Sequence, residues 1–221
     1  MHNPPLLGVH VDFKHSNRRY ASAVLRLCFG GSFNPVHRAH LVCAAEAARA
    51  GGFGVVVLIP TGQPALKPLS EVAPAKDRLA MLQLAVKATV ADVAFEIDDL
   101  EITRSGQTYT FDTVTALLNR GWERVDWLIG ADQLLSLHRW HRFEELLRVA
   151  QFWVMARPGY KIDWQSVHPA ARGLIDHLLP APAWDLSATT IRSRIRAGQS
   201  IDDAVLPQVR EYIHARGLYV V

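Results

Sequence analysis

The stretch CFGGSFNPVHRAH, residues 28–40, runs an apolar segment into Gly30 and Gly31, then through a Ser-Phe-Asn-Pro turn to two histidines three apart, His37 and His40. Glycines after a strand let the backbone turn sharply and let a ligand approach the main chain, and a helix start that follows offers N–H groups and a positive dipole end. Residues three apart in a first helical turn share a face, so two imidazoles can address one anion. This is a phosphate site in outline. The pattern is neither GxGxxG nor GxxxxGK[ST], which disfavours a dehydrogenase-type dinucleotide fold and a Walker-A nucleotide hydrolase. Taken alone, the stretch reads equally well as a plain turn followed by a capping histidine and a core histidine. A second segment decides the matter. In SATTIRSRIR, residues 187–196, a Ser/Thr cluster supplies an N-cap for a helix that carries Arg192 in its early turns. Two anion-binding helix starts, far apart in sequence, could clamp a polyphosphate between them.

The elements that must bring these segments together follow from the punctuation of the chain. VLRLCF (24–29) reads as a strand ended by glycines, and HRAHLVCAAEAARAG as an alanine-rich helix closed by Gly51. VVVLIP (55–60) is a β-branched run stopped by proline, and AKDRLAMLQLAVKA places Leu79, Leu82 and Val86 on one helical face. VAFEI (93–97), a helix around TFDTVTALLNRG, VDWLIG (125–130), a helix in FEELLRVA and QFWVMA (151–156) continue the alternation. Five strands alternating with helices predict an α/β fold with a Rossmann-like, doubly wound parallel sheet. Helices at TTIRSRIRAG and VLPQVREYIHARG give residues 187–221 a small C-terminal helical part, within a domain spanning 24–221. Residues 1–23 lack a sustained apolar period and a signal-peptide core and read as a flexible extension; His10 and His15 within it have no companion at ligand spacing.

Composition narrows the partners. The chain has 221 residues, 49% of them apolar, and a formal charge of +3, but no uncharged apolar run of roughly 18 residues or more to span a bilayer. Its basic residues are scattered among acidic ones, which fits an anionic small molecule better than a nucleic-acid track. Cys28 and Cys43 have neither CxxC spacing nor a disulfide framework, so a reducing, cytoplasmic setting is the simpler reading.

GGSFNPVHRAH resembles the GG(T/S)F(D/N)PxHxGH signature of nucleotidyltransferases, and LSATTIR resembles their ISSTxIR motif. Between them RSGQTYTFDT (104–113), GADQLLSLHRW (130–140) and ARPGY (156–160) follow in order the pattern of the bacterial nicotinate mononucleotide adenylyltransferases. The resemblance runs over residues 24–221. It implies adenylyl transfer from ATP to nicotinate mononucleotide, giving nicotinate adenine dinucleotide and pyrophosphate, a step of NAD biosynthesis that uses magnesium. It implies no nucleic-acid or membrane partner and leaves a homo-oligomer open. Carried over position by position, Gly30, Gly31, Ser32 and Phe33 match the ATP-contacting loop, and His37 and His40 match the histidines that hold ATP phosphates and stabilise the transition state. Ser187, Thr189 and Arg192 match the far phosphate clamp, Lys67 matches a loop lysine, and Gly130 and Asp132 match the GAD segment beside the nucleotides. Tyr109, Thr110 and Trp140 match positions lining the mononucleotide site. Ala39 stands where the motif has glycine, and Leu66 where histidine commonly precedes the lysine. Neither change removes a charged catalytic position, so both bear on affinity more than on reaction type.

The residues suit that chemistry. A phosphate monoester is largely ionised at neutral pH, so the attacking mononucleotide needs no strong general base. What it needs is alignment of two anions and cover for charge on the transferred and departing phosphates. No Ser-His-Asp or Cys-His arrangement stands out, consistent with direct in-line transfer without a covalent enzyme intermediate. No protein ligand for magnesium is assigned. His138 and His141 read as solvated or substrate-side residues, the cluster Glu96, Asp98, Asp99 and Glu101 as a solvated strand edge, and Trp127 and Trp153 as core. The nearest rival is a relative acting on nicotinamide mononucleotide, phosphopantetheine or a sugar phosphate. A rival of another class is a non-catalytic nucleotide-binding module, against which His37 and His40 argue.

Overall fold

The computed structural model describes residues 24–64, 72–156, 159, 161–184 and 186–220. The N-terminal extension with His10 and His15, the loop residues Leu66 and Lys67, and Arg157, Pro158 and Tyr160 of ARPGY lie outside the described residues. Strand β1 (Arg26–Gly31) leads to helix α1 (Arg38–Ala50), then β2 (Val55–Pro60), the short β3 (Gln63–Pro64), α2 (Ala75–Ala88), β4 (Ala94–Ile97), α3 (Leu100–Thr103), the short β5 (Gln107–Thr108), α4 (Thr110–Asn119) and β6 (Asp126–Gly130). There follow α5 (Ala131–Leu134), a 3-10 turn at Leu137–Arg139, α6 (Phe143–Val149), β7 (Gln151–Ala156), a 3-10 helix at Pro169–His177, β8 (Leu178–Pro180), α7 (Ala188–Arg196) and α8 (Pro207–Ala215).

The main sheet is parallel with strand order β4-β2-β1-β6-β7-β8, and β3 pairs with β5 beside it. It is a Rossmann-like doubly wound sheet with helices at its C-terminal end. Six strands form it rather than the five expected, because Leu178–Pro180, hidden in a proline-rich stretch, pairs along β7 through Val154↔Leu178. Only Leu179 of those three residues is buried, so the segment carries little periodic signal; an edge position tolerates proline because one side of the strand needs no ladder. Alternation sorts the central strands onto two faces. Leu27, Phe29, Val56, Leu58 and Leu128 pack with Ala44, Ala47, Met81, Leu82, Val209 and Ile213 of α1, α2 and α8. Cys28, Val57, Ile59, Trp127 and Ile129 pack with Val114, Leu117 and Leu146 of α4 and α6. Among the described residues no helix is long and apolar enough to cross a membrane.

The face of α2 differs from expectation. Its buried residues are Asp77, Arg78, Met81, Leu82 and Ala85, whereas Leu79 and Val86 are half-buried. The stripe is turned because α8 docks here: Tyr212 Oη donates to Asp77 Oδ1 at 2.8 Å and Arg216 Nε at 3.3 Å, drawing a carboxylate inward.

The sheet reverses its winding between β1 and β6, and there it opens. β1 pairs with β2 over six residues and β6 with β7 over five, but β1 and β6 pair only at Leu27↔Asp126 and Cys28↔Trp127. Beyond those pairs the ends of the two strands part, leaving a crevice at the carboxyl edge, the place where such sheets bind ligands.

Candidate functional site

Gly30 and Gly31 are the last residues of β1 and stand in that crevice. Neither takes a positive φ, so they are not the turn. What they supply is room: a Cβ on Gly30 would meet Cζ2 of the Trp127 indole at 2.5 Å, and one on Gly31 would crowd the Phe33 ring at 3.3 Å. The turn itself is made by Phe33, at φ 43, followed by a cis Asn34–Pro35 bond. The Phe33 side chain is buried at 1% exposure, its ring edge-on to Phe29 and to His40 with centroids 5.9 and 5.1 Å away. It shapes the loop from below.

His37 is the N-cap of α1, in extended backbone, and His40 is the third helical residue. The His37 N–H donates to His40 Nδ1 at 3.3 Å, and the two rings stack with centroids 3.6 Å apart and planes 22° from parallel. With Nδ1 as acceptor, a neutral His40 carries its proton on Nε2, where it is a donor. The helix start itself offers an anion less than expected, because the Arg38 N–H is already given to the Ala204 carbonyl at 2.9 Å.

Across the crevice Ser187 caps α7 by accepting from the Thr190 N–H at 3.1 Å. Arg192, one turn on, donates through Nη1 to the Asn34 carbonyl at 3.0 Å and through Nη2 to Thr189 Oγ1 at 3.4 Å, while its buried Nε has no hydrogen-bond partner among the described residues. One guanidinium therefore joins segments 158 residues apart. From β6, the Gly130 N–H donates to Gln133 Oε1 at 3.1 Å, and Asp132 follows directly.

These groups line a cavity of about 320 Å³. Gly30, Gly31, Ser32, His37, His40, Gly130, Asp132, Ser187, Thr189 and Arg192 form its polar part, and Cys43, Ala181 and Trp184 belong to its apolar lining. Ala39 is in that lining too, its methyl packed with Cys43 and Ala181. A second cavity of about 280 Å³ is lined by Tyr109, Thr110 and Trp140 together with Trp127, Glu101, Arg139 and His141. Gly30, Gly31, Ser32 and Gln133 line both. Tyr109 is the N-cap of α4, so the first turn of that helix starts at the second cavity.

The expected site residues thus divide between two adjoining cavities, apart from Phe33, which is buried, and Lys67, which lies outside the described residues. Several lining residues were not anticipated. Glu101 is no solvated edge: it is 4% exposed, accepts from Thr113 Oγ1 at 2.7 Å, and burial pushes its carboxyl above the usual range, against the hydroxyls of Thr113 and Thr108 and the charge of Arg104. The rest of the acidic cluster fits the surface reading better, with Asp98 paired to Arg120 at 2.8 Å and Glu96 to Arg26 at 3.6 Å. His141 packs on the Tyr109 ring at 4.5 Å, whereas His138 stacks with His168 away from the cavity. Trp127 is core and cavity wall at once. Trp153 is half-buried, its Nε1 donating to the buried Asp126 at 2.8 Å. The signal for Gln133 and Arg139 was present in GADQLLSLHRW, which contains both. No disulfide joins Cys28 and Cys43; burial raises the Cys28 thiol well above its ordinary value.

Comparison with known proteins identifies the family. Residues 28–194 match the model of the cytidylyltransferase-like family. A "Probable nicotinate-nucleotide adenylyltransferase" of Herpetosiphon aurantiacus is 37% identical over 195 residues, covering 86% of this chain and 96% of that protein. One of Acidothermus cellulolyticus is 39% identical over 196 residues, covering 86% and 91%. Among solved structures, Plasmodium falciparum nicotinic acid mononucleotide adenylyltransferase complexed with NaAD is similar in fold with a TM-score of 0.72, at 18% identity, over 88% of this chain and 97% of that one.

Proposed function

The chain belongs to the cytidylyltransferase-like family and, within it, to the nicotinate-nucleotide adenylyltransferases, and from that premise we propose that it transfers the adenylyl group of ATP to nicotinate mononucleotide. The observation that carries the reading is the pair of cavities meeting at Gly30, Gly31 and Ser32. ATP occupies the cavity of His37, His40, Ser187, Thr189 and Arg192, and the mononucleotide occupies that of Tyr109, Thr110 and Trp140. Their phosphates then face each other across Gly30 and Gly31, which have no side chain to keep them apart.

An oxygen of the mononucleotide phosphate attacks the α-phosphorus of ATP. The new P–O bond forms as the bond to the β-phosphate bridging oxygen breaks, and pyrophosphate leaves with the electron pair. No covalent enzyme intermediate is needed. His40, donating through Nε2, and the Arg192 guanidinium cover charge that grows on the transferred and departing phosphates, which is where preorganised donors act most strongly. Lys67 belongs to the same proposal. Trp140 offers a stacking face for the pyridine ring, and the start of α4 offers N–H donors for its carboxylate.

Magnesium would be supplied with ATP. Among the described residues the nucleotide cavity presents one carboxylate, Asp132, with hydroxyls and imidazoles, a donor set that suits a hydrated ion leaning on substrate phosphates rather than one caged by protein. Asp132 would be its protein-side contact, and the ion would neutralise charge on the departing pyrophosphate. We also propose a cytoplasmic setting for this chemistry.

The test is incubation with ATP, magnesium and a panel of acceptors, following pyrophosphate release. Turnover with nicotinate mononucleotide above all others is expected. Turnover confined to phosphopantetheine or a sugar phosphate would overturn the acceptor; ATP binding with no turnover on any acceptor would overturn the reaction.

A further inference from the structure

Arg78 is a charged side chain at 1% exposure, facing inward from α2. No carboxylate bonds it among the described residues: its neighbour Asp77 is taken by Tyr212 and Arg216. All three of its nitrogens go instead to backbone carbonyls, Nη1 to Ser32 at 2.8 Å, Nη2 to Gly62 at 2.9 Å and Nε to Ala73 at 3.0 Å. The charge of buried Glu101 favours the guanidinium without bonding it; burying a cation is costly all the same, and a well-packed apolar side chain in its place is often neutral or better for stability. Stability alone does not account for Arg78, so what its fork holds becomes the question.

It holds both cavity walls. Ser32 lines the two cavities, and Gly62 follows Thr61, which lines the second. The peptide whose carbonyl Arg78 grips leads into Phe33, whose φ of 43 is a conformation an aromatic residue adopts only under constraint. The Phe33 ring in turn supports the His40 imidazole, which stacks on His37. Asn34 completes the clamp: its Oδ1 accepts from the Ala73 N–H and from Tyr219 Oη, both at 2.9 Å, so Ala73 is held at its N–H as well as its carbonyl.

We propose that Arg78 is a positioning residue of the transfer site, which through the Ser32 carbonyl fixes the Phe33 turn and thereby the placement of His40. The assignment rests on the function proposed above, but the contacts from Arg78 to His40 can be tested without turnover. Two variants decide it. Arg78→Lys keeps the charge and loses the planar fork; Phe33→Leu keeps Arg78 and removes the ring. Each is assayed for kcat, ATP dissociation constant, thermal midpoint and the imidazole NMR signals of His37 and His40. Misplacing a catalytic group by an ångström typically costs on the order of a hundredfold, so each variant is expected to lose about ten- to a hundredfold in kcat, with ATP affinity within about threefold of wild type and His40 signals displaced. A lowered midpoint with kcat and His40 signals at wild-type values would reduce Arg78 to a scaffold residue and overturn the proposal. If Arg78→Lys does not fold, Phe33→Leu alone decides: unchanged His40 signals and kcat overturn it. Displaced His40 signals in a protein that turns over no acceptor would leave the positioning standing and sink the function instead.

Discussion

A Cβ at Gly30 would overlap the Trp127 indole, a ring fixed in the core, whereas a Cβ at Gly130 would overlap only the carboxylate end of Asp132, which can swing away. The same substitution should therefore fail differently at the two sites. Gly30→Ala is expected to lose about 1–3 kcal/mol of stability, the usual cost of overpacking. Gly130→Ala should keep its urea midpoint and raise the KM for ATP, since Asp132 lines the cavity proposed for ATP. Urea denaturation of both variants checks the contrast; equal losses would show that Trp127 yields more easily than its burial implies. His40→Ala concerns the reaction rather than the fold. Removing one preorganised donor typically costs about 10²–10³ in kcat, and a group that meets developing charge acts mainly on the transition state. Turnover should fall by that order while ATP affinity changes little. A variant with near-wild-type kcat would refute the role given to His40.

Short elements carry part of the wall of the second cavity. Four-residue α3 brings Glu101 under the start of α4, where Thr113 and Thr108 surround it. Burial raises the Glu101 pKa in the folded protein, so the fold favours the protonated form. The stability this group contributes is then fully present below the ordinary carboxylate pKa and is lost as pH rises through the higher folded value. Glu101→Gln cannot ionise and keeps an oxygen to accept from Thr113. Thermal melts from about pH 4 to pH 8, spanning the range above ordinary glutamate titration, should show wild type falling relative to the variant as pH rises. If the charge of Arg104 outweighed burial, the two curves would separate in the opposite sense, and that result would correct the assignment.

At the level of the assembled sheet, the two cavities impose a division of labour. Under the proposed reaction the phosphates would be held by groups common to any nucleotide pair, so discrimination between acceptors would come from the far end of the second cavity, around Trp140, Tyr109 and Thr110. Nicotinate mononucleotide and its amide differ only in a carboxylate against a carboxamide. N–H donors at the start of α4 suit the carboxylate, and an amide NH₂ facing them would cost on the order of 1–3 kcal/mol. The kcat/KM ratio of acid to amide should accordingly be roughly ten- to a hundredfold. Equal values, or preference for the amide, would remove the acceptor assignment and leave adenylyl transfer intact.

Local pattern was enough to place most of this molecule. A β-branched run closed by proline marked β2, short apolar runs marked β6 and β7, and residues of the GGSFNPVHRAH and LSATTIR segments line one cavity, because strand termini, helix caps and imidazole spacing are properties of neighbouring residues. What periodicity could not reveal is where a polar group goes when its partners are distant in sequence. Arg78 and Asp77 look like surface positions of α2, yet both are buried, one on carbonyls from three loops and the other against α8. Glu101 reads as one more acid in an acidic run until Thr113 and Thr108 close over it. Gly30 and Gly31 announce a turn, but the turn belongs to Phe33, and the glycines are needed because Trp127, from a strand about a hundred residues later, and Phe33 itself press against them. β8 pairs only because β7 presents an open edge. Burial is decided by everything that packs around a residue, so the chain's own order announces the apolar faces, and only the folded packing decides which charges and which missing side chains those faces enclose.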